Sequence, residues 1–410
     1  MRCGLLGRSL KHSYSPQIHE YLGNYSYELF EQEPNSLSEF FQNNHFSGIN
    51  VTIPYKKDVV QFCDELSPVA EKLGSVNTII KRDDGKLIGH NSDYFGFLSM
   101  VQRTGLDLAG KKAIVLGSGG ASVTVCAVLE ALKAHTIQIS RSGENNYSNL
   151  YLHADAALIV NATPVGMYPE NGQSPLDLSQ FKKLEGVLDL IYNPANTKLL
   201  MDAQAMGLKT ENGLWMLVAQ AKESAQWFTG KEIPDELIEQ IYNKLSIQMQ
   251  NIVLIGMPGC GKSTLGQLLA KTTGKEFIDT DAEIVKQIEM SIPEYFTSNG
   301  EEAFRAVETS VLENVSKRSG AIISTGGGCV TQPKNYPYLH QNSRIIWIKR
   351  ELSKLPVSGR PISQQTTAEE LYRKRRPMYK AFADHIIENN TTPEQAVETI
   401  LSLIGEEQKL

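Results

Sequence analysis

Along the first hundred positions, short apolar runs alternate with stretches of helical period. Residues 3–6, 27–30 and 49–53 read as strands, while 16–22, 37–43 and 57–65 place apolar side chains at i, i+3 and i+4. This alternation predicts βαβ units and a largely parallel sheet, because parallel neighbours need a crossover between them. A second series opens at 111–117, with a helix over 122–133 and further strands at 136–140, 157–161 and 186–191. Helical patterns return at 197–206, 214–228 and 234–245. A third series starts with the strand 251–255 and the amphipathic segment 265–271, which leaves 246–250 as the joint.

Composition narrows the class. A chain of 410 residues suffices for about two to three domains, each with its own core. With 41% hydrophobic and 21% charged residues it has the make-up of an ordinary globular protein. Net charge is −6, and the densest basic run, 373–376, is too short for a nucleic-acid footprint. Five cysteines (Cys3, Cys63, Cys126, Cys260 and Cys329) are odd in number and show no CxxC spacing. They argue against a disulfide frame or a zinc site and fit a reducing cytosol. No apolar run reaches transmembrane length and no signal peptide is legible, so the expectation is a cytoplasmic protein without membrane or nucleic-acid partners.

The third series carries the sharpest motif. Gly256-Met-Pro-Gly259-Cys260-Gly261-Lys262-Ser263-Thr264 joins its strand to its helix. Glycines there let backbone N–H groups close around phosphates, Lys262 supplies a point charge, and the Ser263 hydroxyl can hold Mg²⁺. Gly259 to Thr264 are therefore the expected nucleotide contacts. Further on, Phe277-Ile-Asp279-Thr-Asp281 ends a strand with two carboxylates on one side, suited to metal-bound water and a substrate hydroxyl. A solvent-exposed turn is the plain alternative. Arg305 and Glu308 share a helical face, as ordinary i,i+3 pairs do. Gly326, Gly327 and Gly328 end another strand and bare backbone amides to an anion. Arg360, between Gly359 and Pro361, lies in an irregular stretch with the character of a mobile lid, and Arg375 and Arg376 add cations.

The second series opens with Gly117-Ser118-Gly119-Gly120-Ala121-Ser122 between strand and helix, a turn that allows close approach to a pyrophosphate at a helix N-terminus. A tight turn with no ligand is the plain alternative. Where an NAD site wants a carboxylate after the next strand, this chain has Ser140-Arg141-Ser142. A guanidinium there suits a 2′-phosphate, which favours NADP. Upstream lie four polar clusters: Ser13-Tyr-Ser15-Pro16, Asn50-Val-Thr52-Ile-Pro-Tyr-Lys56, Gly74-Ser-Val-Asn77-Thr78 and Asn91-Ser-Asp93-Tyr-Phe-Gly96. Hydroxyls, amides, a lysine and a carboxylate at strand ends suit a small polyhydroxylated ligand. Taken singly, each cluster also reads as a capped helix start.

In order, SxS-Pro, NVTIPYK, GSVNT, NSDxxG, GSGGAS, NATPVGM, IYNPxxTxLL and Gly213-Leu-Trp-Met-Leu-Val-Ala-Gln220 resemble shikimate dehydrogenase over residues 1–245. The resemblance implies that Lys56 and Asp93 form the catalytic pair and that Ser13, Ser15, Thr52, Asn77, Tyr192 and Gln220 surround the substrate. It implies that Gly117 to Ala121, Arg141, Leu190 and Gly213 line an NADPH site. The family's usual Asn-Arg-Thr is Ser140-Arg141-Ser142 here, and 142–156 is too short for a normal crossover helix.

Residues 251–405 are similar to shikimate kinase through GMPGCGKST, DTD, FRxxE, STGGG, GRP and KRxPxY. That likeness implies that Lys262 and Ser263 serve ATP and Mg²⁺, that Asp279 lies near the metal, and that Asp281 binds and deprotonates the attacked hydroxyl. Arg305, Gly326 to Gly328 and Arg375 would hold the shikimate carboxylate and ring, and Arg360 would close onto the phosphates.

The expected organisation is α/β throughout. Residues 1–95 form a substrate part onto which helices of 214–245 pack back, 96–213 a Rossmann-like NADP part, 246–250 a linker, and 251–410 a P-loop, nucleoside monophosphate kinase-like domain. The expected activity is NADPH-dependent reduction of 3-dehydroshikimate followed by MgATP-dependent phosphorylation of shikimate. Alternatives are a quinate-oxidising, NAD-preferring first half, or a metabolite sensor built from retired enzyme domains. A homodimer is compatible with all three.

Overall fold

The computed structural model describes residues 1–11, 13–43, 45–355 and 367–406. It divides into two compact units, one of residues 1–166, 173–192 and 199–242, the other of 167–172, 193–198 and 243–410. The expected substrate and Rossmann-like parts thus fall within a single unit, while each keeps its own sheet.

The first sheet of unit one contains β1 (Arg2–Gly7), β2 (Ser26–Glu31), β3 (Gly48–Val51), β4 (Glu65–Leu66), β5 (Thr78–Lys81) and β6 (Leu87–His90), in the order β2-β1-β3-β5-β6-β4. It is mixed rather than largely parallel: β5 runs antiparallel to both β3 and β6. The cause is a tight reversal after β5, where Gly85 takes φ +87° and the Arg82 N–H donates to the Lys86 carbonyl. Helices α1 (Ser15–Leu22), α2 (Leu37–Asn43) and α3 (Pro68–Leu73) join these strands. The stretch 57–65, expected as one helix, is a short 3₁₀ turn over Asp58–Phe62 that leads into β4. Consecutive Val59 and Val60 and the strand pairing of Glu65 with Ile88 prevail over the weak helical period.

α4 (Asp93–Thr104) leads into the second sheet, all parallel, made of β7 (Lys112–Leu116), β8 (His135–Ile139), β9 (Leu158–Asn161), β10 (Gly186–Asp189) and β11 (Lys209–Asn212). Its order, β11-β10-β9-β7-β8, reverses between β7 and β9, and ligands of open α/β sheets bind beyond the strand ends at such a point. α5 (Gly120–Ala131) follows β7 and α6 (Lys198–Ala205) precedes β11. Between β8 and β9 there is only a 3₁₀ turn, Leu150–His153, as the shortness of 142–156 leads one to expect. α7 (Gly213–Thr229) packs against α4 and α1, returning to the first sheet. Asn212 caps it by accepting the Leu214 N–H, and Gly230 ends it at φ +65°.

α8 (Glu236–Met249) contains most of the expected linker: residues 246–249 are its last turn. Its terminal carbonyls find donors within unit two. Lys275 Nζ donates to the carbonyls of Ile247, Gln248 and Gln250, and the Gly320 N–H to that of Met249. With those acceptors satisfied, the helix continues almost to β12.

Unit two is built on β12 (Asn251–Ile255), β13 (Glu276–Asp279), β14 (Ala321–Ser324), β15 (Ser343–Lys349) and β16 (His385–Glu388), all parallel, in the order β13-β14-β12-β15-β16. Every residue of β12 is buried, as a central parallel strand demands. The helices are α9 (Lys262–Thr273), α10 (Thr280–Ile288), α11 (Ile292–Val315), α12 (Asn335–His340), α13 (Ala368–Phe382) and α14 (Pro393–Glu406). Capping boxes start α11, through Ser291 and Glu294, and α13, through Thr367 and Glu370. Among the described residues, no helix is long and apolar enough to cross a membrane.

Candidate active sites

In unit one, Lys56 stands in the turn after β3 and Asp93 is the first residue of α4. Lys56 Nζ donates to Asp93 Oδ2 at 2.6 Å, with both side chains largely withdrawn from solvent. Asp93 therefore does not cap its helix, though its charge sits favourably at a helix N-terminus. Ser15 does not cap α1 either: Ser13 Oγ accepts the Ser15 N–H, and Ser15 is the first helical residue.

The pair lies in the wall of a cavity of about 500 Å³. Ser13, Ser15, Thr52, Asn77, Tyr192 and Gln220 line it as well, and so do Ala121, Leu190 and Gly213 from the cofactor set. Burial pushes the Tyr192 phenol above its usual range. Gly117 follows β7 at φ +114°, where an added Cβ would come within 3.0 Å of the Ala162 carbonyl oxygen, while the space beyond Gly119 and Gly120 is open. An open glycine cradle at the N-terminus of a twelve-residue helix fits a pyrophosphate. Ser118 lies within this turn. Arg141 follows β8, is exposed, and stays outside the cavity wall.

Gly213 meets the opposite wall so closely that a Cβ on it would lie 2.0 Å from the Leu190 carbonyl oxygen. Gly213→Ala must push the start of α7 away from Leu190. We expect a stability loss of about 1–3 kcal/mol from overpacking, together with lost ketone-reducing activity, measurable as a lower Tm and a slower NADPH-linked rate.

Sequence reading undervalued Asn50, which also lines the cavity. Tyr27 donates to its Oδ1 at 2.7 Å, and the Tyr27 ring stacks on fully buried His19 at 3.9 Å between centroids. Burial pulls the His19 imidazole down to about 3. Above pH ~6.5 the imidazole is neutral in both the folded and the unfolded chain, and its burial carries no pH-dependent cost there. Stability falls as pH drops from there towards 3, because the unfolded state then binds more protons. The expected result is a Tm that drops between pH 7 and pH 5 in the parent protein and drops less in His19→Gln.

In unit two, Lys262 Nζ is buried and donates to the carbonyls of Gly256 and Met257 at 3.0 and 3.1 Å. Gly256, Gly259 and Gly261 all have positive φ, at +145°, +78° and +101°, so the loop needs residues without a Cβ. Gly259, Cys260 and Gly261 lie in this loop, and Lys262, Ser263 and Thr264 form the first turn of α9. Ser263 Oγ donates to Asp279 Oδ2 at 2.7 Å and lies 3.2 Å from Ser324 Oγ. A hydroxyl beside a carboxylate fits Mg²⁺, which takes few protein ligands and completes its shell with phosphate and water. Among the described residues, no cluster of three or more His, Cys, Asp or Glu could hold a metal ion.

The expected pair of same-side carboxylates divides its tasks. Asp279 ends β13 and caps α10, accepting the N–H groups of Asp281 and Ala282, while Asp281 lies on the helix itself. Asp281, Arg305 and Arg375 converge on the three glycines. A Cβ on Gly326 would lie 2.8 Å from Asp281 Oδ1, one on Gly328 would lie 2.2 Å from Arg305 Nη1, and Arg375 Nη1 donates to the Gly327 carbonyl at 3.0 Å. Bare backbone here makes room for charged groups.

Arg305 and Glu308, an i,i+3 pair on one helical face, are buried and joined at 2.7 Å. Burial raises the Glu308 carboxyl above its usual range, with Arg305 opposing. Tyr379, the last residue of the KRxPxY run but given no role of its own there, is fully buried, and its hydroxyl donates to the Gly327 carbonyl at 2.5 Å. Arg360 lies outside the described residues.

Fold and sites together define a two-part α/β enzyme, one part with a dinucleotide cradle beside a lysine–carboxylate pair and the other with a P-loop. Residues 5–79 match the family model of the shikimate dehydrogenase substrate binding domain, and 258–405 that of shikimate kinase. The NADP(+)-type shikimate dehydrogenase of Clostridium perfringens (strain SM101 / Type A) is 37% identical over 270 residues, 59% of this chain and 97% of that protein. Among solved structures, shikimate dehydrogenase 1 from Peptoclostridium difficile matches with a TM-score of 0.55 at 36% identity, covering 60% of this chain and 97% of that one. The shikimate 5-dehydrogenase of Thermus thermophilus, solved with NADP(H) and shikimate, matches with 0.55 at 30%, covering 60% and 99%. The chain belongs to the shikimate dehydrogenase family, fused at its C-terminal side to a shikimate kinase domain.

Proposed function

We propose that this chain performs two successive reactions on one cyclic hydroxy acid: NADPH-dependent reduction of 3-dehydroshikimate to shikimate, then MgATP-dependent phosphorylation of shikimate on its 3-hydroxyl. The observation that carries the first reaction is the 2.6 Å Lys56–Asp93 pair in the wall of a cavity that also reaches the dinucleotide turn. Bound NADPH supplies the hydride. Lys56, kept oriented by Asp93, gives its proton to the oxygen of the ring ketone as negative charge develops there, which completes the hydroxyl. Ser13, Ser15, Thr52, Asn77, Tyr192 and Gln220 hold the substrate, and Leu190 and Gly213 close the cavity on the cofactor side. Arg141 supports NADP through its charge at the end of β8.

In the second site, bound MgATP supplies the phosphoryl group. Asp281 takes the proton of the attacked hydroxyl. Arg305 and Arg375 hold the substrate carboxylate, for which guanidinium forks are suited. Lys262 and the loop amides surround the phosphates, and Ser263 and Asp279 hold the metal. The chain acts on small molecules in the cytosol, with no nucleic-acid or membrane partner, and light scattering decides whether it is a homodimer.

The test is a coupled assay on the full chain. With 3-dehydroshikimate and NADPH alone, NADPH is consumed; once ATP is added, ADP forms in step with the shikimate made. ADP formation without any prior reduction, or NADPH use without shikimate as product, would contradict the scheme. Initial rates for shikimate and quinate oxidation with NADP and with NAD separate it from the quinate reading.

A further inference from the structure

Behind the cavity of unit one lies a group of hydroxyls that the reaction scheme does not use. Thr78 on β5, Ser92 before α4 and Ser224 on α7 are all fully buried. Their oxygens form a triangle, with Thr78–Ser224 and Ser92–Ser224 at 2.9 Å and Thr78–Ser92 at 3.3 Å. All three amides in the cavity wall are tied to it. Asn50 Nδ2 donates to Ser224 at 2.8 Å and to Thr78 at 3.1 Å, Asn77 Nδ2 donates to Ser92 at 3.0 Å, and Gln220 Oε1 accepts from Ser92 at 3.2 Å.

Backbone groups, whose donor or acceptor character cannot change, set the polarity of this network. The Ser92 N–H donates to Asn77 Oδ1 at 2.7 Å, which fixes that amide with its oxygen inward. Gln220 Nε2 donates to the Leu217 carbonyl at 2.8 Å, which leaves its oxygen to Ser92. Asn50 Nδ2 also faces the Asn77 carbonyl, at 3.4 Å, while its Oδ1 takes the Tyr27 proton. Counting hydrogens, Asn77 and Gln220 each keep one N–H to donate, and Asn50 keeps an acceptor lone pair.

We propose that Thr78, Ser92 and Ser224 are positioning residues that lock the three cavity amides in one orientation. The cleft then meets its ligand with donors at Asn77 and Gln220 and an acceptor at Asn50, and so selects the pattern of hydroxyls on the ring. Without the triangle Asn50 Nδ2 loses its two hydroxyl acceptors, and Asn77 and Gln220 each lose the side-chain partner that holds them beside their backbone bonds, so the amides shift and the preference for one hydroxyl pattern is lost. The inference rests on the dehydrogenase reading above.

The experiment compares Ser224→Ala, the near-isosteric Thr78→Val and the hydroxyl-retaining Thr78→Ser in the full chain. Expected are a rise of about tenfold in KM for shikimate in Ser224→Ala and Thr78→Val, a much smaller change in kcat, and an unchanged KM for NADP. Thr78→Ser should restore KM. The same two variants should narrow the kcat/KM ratio between shikimate and an analogue lacking one ring hydroxyl, which a loss of folded protein alone would not do. The idea is overturned if both hydroxyl-free variants keep the parental KM and ratio. It is also overturned if kcat falls equally for every substrate while Thr78→Ser behaves like Thr78→Val. Should Ser224→Ala fail to fold, Thr78→Val against Thr78→Ser decides alone. A parent protein that oxidises no shikimate would instead sink the dehydrogenase reading, so the two failures are separable.

Discussion

Lys56→Ala is expected to slow NADP-linked shikimate oxidation by about 10³-fold, the middle of the range for a positioned general acid or base. The ammonium is held at 2.6 Å by Asp93 in a cavity wall where both groups are shielded from water. Removing it deletes the proton donor and leaves a carboxylate without its counter-charge, facing the place where negative charge develops. Asp93→Asn should be milder, since the lysine remains but loses its orienting charge. In both variants the ATP-dependent phosphorylation of added shikimate should persist, because Lys262, Asp281 and Arg305 belong to the other compact unit. Measuring both rates on one preparation controls for folding. If phosphorylation falls in parallel with oxidation, the two halves depend on each other and the assignment of Lys56 to chemistry loses its basis.

Lys262→Ala should have the reverse effect, a loss of about 10²–10³-fold in phosphorylation, the size seen when one preorganised charge donor is deleted. Lys262 is 7% exposed and its ammonium is bonded to two loop carbonyls, so it is already in place before nucleotide arrives. The loop carbonyls that it satisfies would also lose a donor, and a lower Tm should accompany the lost rate. NADP-linked oxidation should stay near the parental rate. Retained phosphorylation in this variant would remove the P-loop from the reaction.

The legible parts of this molecule were those written in consecutive residues. β12, its glycine loop and α9 follow one another directly, and local backbone demands at Gly256, Gly259 and Gly261 leave few alternatives. The parallel second sheet and the missing crossover helix after β8 could likewise be read from run lengths. The hairpin of β5 and β6 was obscured because Asn77 and Thr78 looked like a polar loop, although Asp84-Gly85 between two apolar pairs is a hairpin turn signal. The end of α8 was misplaced because its last carbonyls are satisfied by Lys275 and Gly320, which lie far along the chain.

By itself the sequence determined which chemical groups are available and which elements carry them: a lysine after β3, a carboxylate opening α4, a P-loop after β12 and arginines on later helices. Tertiary structure alone decided their partners. It set Asp93 2.6 Å from Lys56, the pairing that the resemblance implied, buried the i,i+3 pair Arg305–Glu308 against Gly328, and gathered Thr78, Ser92 and Ser224 behind three amides. The reason is that hydrogen bonding and desolvation depend on distances of a few ångströms between residues far apart in the chain, such as Asn50 and Ser224, which are separated by 174 positions. Local periodicity carries no information about such pairs.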